Sequence, residues 1–465
     1  MSKRNIIISI IGLIVLGLMA YVFLAFYKPS SNLGTEAPGT NFLSNLFNFG
    51  KKTTTTPTGT EPADISGYVG EDGGVIVEER LTKVSSMPIA GFTVFMKERF
   101  VDLPVVVPQA PLLNEEGVGG GDSLPPPRPS GTPPQAGGEK VAKPTPPPTE
   151  FIPTLRYVDK ATGNIYQTFA NNINESEFTT TVVPRVYDAY FSNKGESVLM
   201  RYFNDNTKNI ETFIGNLPKQ LLGEDSTIDN EIKGSFLPEN ISNINISPDT
   251  TRLFYLFNLR DGEGSVGIVA SGNGEKKVQV FSSPFTDWLS FWPNNTMITL
   301  TTKPSANVPG YMYVNNPEQK SLNKILGNIN GLTTLASPNG KIVLYSNNNL
   351  SLNTYNVATK EVNSLGVKTL SEKCTWGKLS DFVYCAVPKY IDKTNYPDVW
   401  YQGEVSFTDE VWKIDVTDGS TSLISDPINE KGEDIDAIKL MLDESENYLF
   451  FVNKKDSYLW KLIVN

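Results

Sequence analysis

Histidine is absent from all 465 residues. That absence removes Ser-His-Asp and Cys-His nucleophile systems, His-ligated zinc and histidine-based pH switching. Carboxylate, lysine and tyrosine chemistry remain. Cysteine is nearly absent, with only Cys374 and Cys385. Positive charge is in deficit: 40 Lys and Arg face 51 Asp and Glu, for a net charge of -11 without a basic stripe. Phosphate binding needs a concentrated basic face, so nucleic acid is not an expected partner. The sequence also lacks a phosphate loop, EF-hand spacing and an Asp-box, so no cofactor, metal or catalytic residue is singled out.

Long apolar runs are lacking too, with one exception. Ile6 to Phe26 carries no charge, and at 1.5 Å per residue it spans a hydrocarbon core of roughly 30 Å. Lys3 and Arg4 precede it, which places residues 1–4 in the cytoplasm and everything after the span outside. A cleaved signal peptide has a shorter apolar region and a small-x-small site. The bulky Tyr21, Phe23, Phe26 and Tyr27 therefore favour an uncleaved anchor over residues 5–27 of the cytoplasmic membrane. Residues 28–73, with a Thr53 to Thr56 run and scattered Pro and Gly, read as a flexible tether reaching roughly 35 Å.

From residue 74 to 465 the pattern becomes that of short strands. Pro104 to Pro148 interrupts it with thirteen prolines and a Gly cluster, a composition that cannot bury a core. Residues 104–150 read as a disordered insertion between two strands, and the polyproline run from Pro125 to Pro129 keeps a docking reading open.

One stretch organises the rest. In Ser337-Pro338-Asn339-Gly340, Pro338 presets φ and Gly340 suits a left-handed conformation. The following Ile342 to Tyr345 is apolar on both faces, like a strand covered on both sides. Variants of this turn and strand recur. Ser192, Ser247, Trp292, Ser337, Trp376 and Leu442 mark successive copies at intervals of 55, 45, 45, 39 and 66 residues. A mean near 50 is the period of four-stranded propeller blades. The prediction is an all-β protein, a β-propeller of seven blades if the interrupted N-terminal repeat counts, six if it does not. The last segment, Ser457 to Val464, reads as a third strand with no fourth. A strand from about Gly74 to Leu81 would supply one and close the ring.

The Ser-Pro-Asp/Asn-Gly turn before a hydrophobic strand resembles the WD40-like repeat of TolB-type propellers. Ser337-Pro338-Asn339-Gly340 and Ser247-Pro248-Asp249 carry that likeness. The whole arrangement, including Leu155 to Ile165, Tyr384 to Pro388 and Tyr396 to Tyr401, looks like single-pass envelope proteins of small-genome candidate-phylum bacteria. The resemblance implies a bacterial envelope location and attaches no activity. TolB-type proteins are soluble periplasmic parts of protein complexes, and the anchor departs from that pattern.

Two places depart from the repeat. Cys374 and Cys385 flank an expected hairpin turn at Leu379 and Ser380, which sets them opposite each other; a disulfide and two small buried thiols are both open readings. Pro388 to Asp409 lengthens its repeat with aromatics and carboxylates. Tyr390, Tyr396, Asp398, Trp400 and Tyr401 are its candidate partner-binding residues, against the plainer reading that these rings pack the insertion onto its own blade. Trp288 and Trp292, on one face of a strand, are expected to pack between blades. The function expected is a membrane-anchored, extracytoplasmic, non-catalytic scaffold for a protein or an envelope polymer. A carboxylate-dependent glycan hydrolase or lyase would need two carboxylates about 5 to 9.5 Å apart in a pocket. A structural spacer in a surface assembly is the third reading.

Overall fold

Short strands separated by turns cannot bury both faces of a sheet alone, and seven such sheets stacked side by side do so for one another. A computed structural model of the protein describes residues 78–101, 147–180, 182–220 and 231–465. The expected anchor, the tether and residues 104–146 of the Pro-rich segment lie outside the described residues. Among the described residues no helix is long and apolar enough to cross a membrane.

The described chain forms seven antiparallel four-stranded sheets in chain order. Their innermost strands are Ile89–Phe100, Val186–Ser192, Ile241–Ile246, Trp288–Asn294, Thr333–Ala336, Cys374–Trp376 and Ala437–Leu442. The seventh blade takes its outermost strand from the start of the fold, where Leu81–Lys83 pairs with Leu459–Ile463 and Leu81 lies opposite Leu462. The ring is therefore closed by both ends of the domain. The closing strand lies slightly beyond the Gly74 to Leu81 stretch expected to supply it.

Each inner strand starts on one face of the ring, here called proximal, and ends on the distal face. Inner hairpins are thus distal, and connections between second and third strands are proximal. In the fifth blade the inner hairpin is the Ser-Pro-Asn-Gly turn. Ser337 Oγ accepts from Ile342 N at 3.0 Å and donates to Asn339 Oδ1 at 2.8 Å. Asn339 Oδ1 accepts from Lys341 N at 2.9 Å, and Gly340 adopts φ +70°. Ser247 and Asp249 repeat this arrangement, with Thr250 at φ +61° near the turn's end. In the seventh blade Asp443 Oδ1 caps the turn directly by accepting from Asn447 N and Tyr448 N. The turn is a structural device, repeated because each blade needs it.

Cores form mainly between blades. Trp292 meets Phe254 of the third blade edge-on, and Trp288 meets Phe281 and Tyr313, as their shared strand face predicts. The first blade is the tallest: Ile89–Phe100 pairs along its whole length with Thr149–Asp159, and Val101 N still bonds Pro148 O at 2.9 Å. Residues 147–150, expected within the Pro-rich insertion, thus belong to the base of a long hairpin.

Candidate binding channel

The inner strands of the third to seventh blades enclose a cavity of about 910 Å³ along the axis. Leu289, Phe291, Leu335, Leu440 and Leu442 supply the apolar wall. The polar groups between them pair with one another: Ser290 Oγ donates to Asn243 Oδ1 at 2.6 Å, and the Thr301 and Thr334 hydroxyls lie 2.6 Å apart. Lys439 is held by Asp188 Oδ1 at 2.7 Å and the Ala90 carbonyl at 2.9 Å.

The cavity's carboxylates lie at opposite ends. Glu372 stands just before the sixth inner strand, on the proximal face, whereas Asp443, Glu444 and Glu446 follow the seventh inner strand on the distal face. One strand length separates these ends, roughly 15 Å at about 3.3 Å per residue. Asp443 is occupied by its own turn, and Glu446 accepts from Lys378 N. Burial raises the Glu372 carboxyl above its ordinary range against the opposing pull of the Tyr401 hydroxyl, Lys373 and Lys454. Its Oε1 is shut off from solvent without a hydrogen-bond partner. Burial and then the neighbouring Glu372 charge push the Tyr401 phenol well upward. Among the described residues no group of three or more Cys, Asp or Glu is placed to hold a metal ion.

The Pro388 to Asp409 insertion leaves the sixth blade on this proximal face. Its short helix α1 (Asp398–Tyr401) turns Trp400 inward, where it stacks on Phe407 with centroids 6.2 Å apart. Tyr396, Trp400 and Phe407 join Leu350 and Leu370 in one buried cluster, with Val399, Val405 and Ile438 against it. Asp398 Oδ2 accepts from Ala306 N of the fourth blade at 2.6 Å. The insertion is a cap lying across the fourth to seventh blades. Of the five residues expected to meet a partner, Tyr396 and Trp400 are buried and Asp398 is engaged. Their area is spent inside the fold because Leu350 and Leu370, from two other connections, and Ile438 of the seventh inner strand reach them. Tyr390 is 80% exposed, and Tyr401 is 38% exposed with its hydroxyl turned to Glu372.

Beneath the cap lies a charged cluster that no spacing motif announces. Lys373, Asp409 and Asp436 are almost completely buried, and Lys373 Nζ lies 2.8 Å from Asp409 Oδ2 and in contact with Asp436 Oδ1. Asp436 Oδ2 accepts from Trp400 Nε1 at 3.0 Å, Ser406 Oγ at 2.9 Å and Phe407 N at 3.0 Å. Burial raises the Asp409 carboxyl to about 6, with Lys373 opposing that shift. Burial acts the same way on Asp436, but Lys373 and these donors outweigh it and hold the carboxyl below its usual range. Next to Lys373, Cys374 and Cys385 face each other across the inner hairpin and are joined by a disulfide.

The protein is a closed seven-bladed β-propeller with an axial cavity capped on one face. No protein family matches the sequence, and no curated protein does. In structure the chain is similar to an oligogalacturonate lyase solved in complex with manganese, with TM-score 0.46 and 8% identity over 67% of this chain and 85% of that one. It is also similar to the β-propeller domain of the Trilobed protease from Pyrococcus furiosus, with TM-score 0.43 and 13% identity over 67% and 91%. An oligogalacturonate lyase from Vibrio parahaemolyticus gives TM-score 0.45 and 10% identity over 67% and 86%. The likeness is one of chain path, and the activities in those names belong to those proteins.

Proposed function

We propose that this protein is a non-catalytic binding scaffold, anchored in the cytoplasmic membrane through residues 5–27 and carrying its propeller on the extracytoplasmic side. The axial channel takes an extended segment of a partner protein or envelope polymer. The observation that carries this reading is the channel wall: apolar side chains and mutually paired polar groups, with Glu372 a strand length from the distal carboxylates. Such a wall grips by area and leaves few polar groups to satisfy. Glycan hydrolysis by paired carboxylates needs the two flanking the scissile bond about 5 to 9.5 Å apart, and Glu372 has no such companion in the wall. Native-cell crosslinking of the full chain, followed by identification of what is joined to it, tests the scaffold. A discrete partner joined to channel residues is expected. Turnover of an envelope glycan by the purified chain, with no adduct above background, would overturn the proposal.

A further inference from the structure

The Lys373 cluster has the composition of a reaction site as well as of an ion pair. A buried ion pair gains little over apolar packing, because removing two charges from water costs several kcal/mol per ion. Here a lysine amine touches one carboxyl while a second carboxyl stands 2.8 Å away. The Trp400 and Phe407 rings each lie 5.4 Å from Nζ and help exclude water. Contact with Asp436 Oδ1 puts the Asp436 carbonyl carbon, one bond further, in the range of about 3–3.5 Å from which such attacks begin. The other oxygen of the same carboxyl already sits among three donors, Trp400 Nε1, Ser406 Oγ and Phe407 N. That is the arrangement that stabilises an oxyanion.

The geometry points to a self-formed isopeptide bond between Lys373 and Asp436, with Asp409 as the proton shuttle. The ammonium first gives a proton to Asp436 Oδ1, which turns two buried charges into a neutral amine and a carboxylic acid. Nζ then attacks the carboxyl carbon, and Oδ2 takes the negative charge within its three donors. Asp409 Oδ2 accepts the proton that the new N–C bond releases and returns it to Oδ1, which leaves as water. One N–C bond forms and one C–O bond breaks. An ammonium and a carboxylate become an amide and a water molecule, with no oxidant or other reactant required. Asp409 suits the shuttle because its Oδ1 is unpartnered and it titrates at about 6, near neutral pH. The product ties the start of the sixth blade to the start of the seventh beneath the cap, beside the Cys374–Cys385 disulfide.

Peptide mapping of the purified full chain by mass spectrometry after reduction and trypsin digestion tests this. The expected product joins residues 369–378 to residues 432–439, lighter than their sum by one water and uncut after Lys373. Cleavage after Lys373 with both peptides at full mass would overturn the proposal. A link from Lys373 to residues 394–413 would make Asp409 the acylated carboxyl and overturn the assignment of roles. Asp409→Asn is expected to slow the link about a hundredfold or more, with the disulfide still formed as a sign that the sixth blade has folded. Undiminished linkage in that variant would remove Asp409 from the reaction.

Discussion

Trp400→Ala separates a packed cap from an exposed binding loop. Trp400 is 5% exposed, stacks on Phe407, carries the Lys454 ammonium 4.0 Å above its ring, and donates to Asp436 Oδ2. Removing a buried tryptophan side chain costs about 3–5 kcal/mol. Leaving Asp436 one donor short adds about 1–3 kcal/mol. The loss of the Lys454 contact adds on the order of 0.5–1 kcal/mol. The cap should therefore lose about 4.5–9 kcal/mol, whereas Trp400→Phe keeps most of the packing and should lose about 1–3 kcal/mol. Hydrogen exchange of the full chain reads this locally, because Phe407 N is protected only while it donates to Asp436. At about 1.4 kcal/mol per tenfold, Trp400→Ala should speed Phe407 exchange by a thousandfold or more unless the whole domain unfolds first. A chemical-denaturation midpoint records that second case. Tyr390→Ala, at a ring 80% exposed, should change neither measurement by more than about 0.5 kcal/mol. If Trp400→Ala leaves both unchanged, the cap is not held by this cluster, and its aromatics return as partner contacts.

Three further outcomes follow from the same geometry. Gly91→Ala would drive a Cβ into the Ala189 backbone carbonyl where the first two inner strands pack; splaying those blades should cost about 1–3 kcal/mol in a denaturation series. Reducing the Cys374–Cys385 disulfide opens a link across a sequence separation of 11 and should lower stability by up to about 3 kcal/mol, read as a shift in the denaturation midpoint. Asp409 binds its proton more tightly folded than unfolded, since its carboxyl is raised from 3.8 to about 6. Its contribution to stability is thus fully present below about pH 4 and lost as pH rises through about 6. Compared with Asp409→Asn, the wild-type chain should gain about 1 kcal/mol between pH 7 and pH 5; an unchanged difference would mean that burial does not raise the group.

The repeat was legible because its chemistry is local. Ser337, Asn339 and Gly340 satisfy one another within six residues, so the turn looks the same in sequence and in structure. Blade number and the closing strand followed from counting such turns and finding the last repeat one strand short. The cap was harder, because Trp400 is buried by Leu350 and Leu370, from two separate connections, and by Ile438 of the seventh inner strand. An aromatic loop that packs and one that binds have the same composition. The Lys373, Asp409 and Asp436 cluster left no readable signal, since its members are scattered over sixty residues and only the ring brings them together. Glu372 was missed for the same reason: the Tyr401 hydroxyl that marks it comes from the insertion.

Site-specific photo-crosslinking in the native cell tests the binding channel most directly. A crosslinking side chain replaces Leu440, in the channel wall, or Leu423, which is 49% exposed on the outer strand of the sixth blade. The account predicts a discrete adduct from position 440 and none from position 423. An adduct from position 423 alone would place the contact on the outside of the ring and contradict the channel as the binding site.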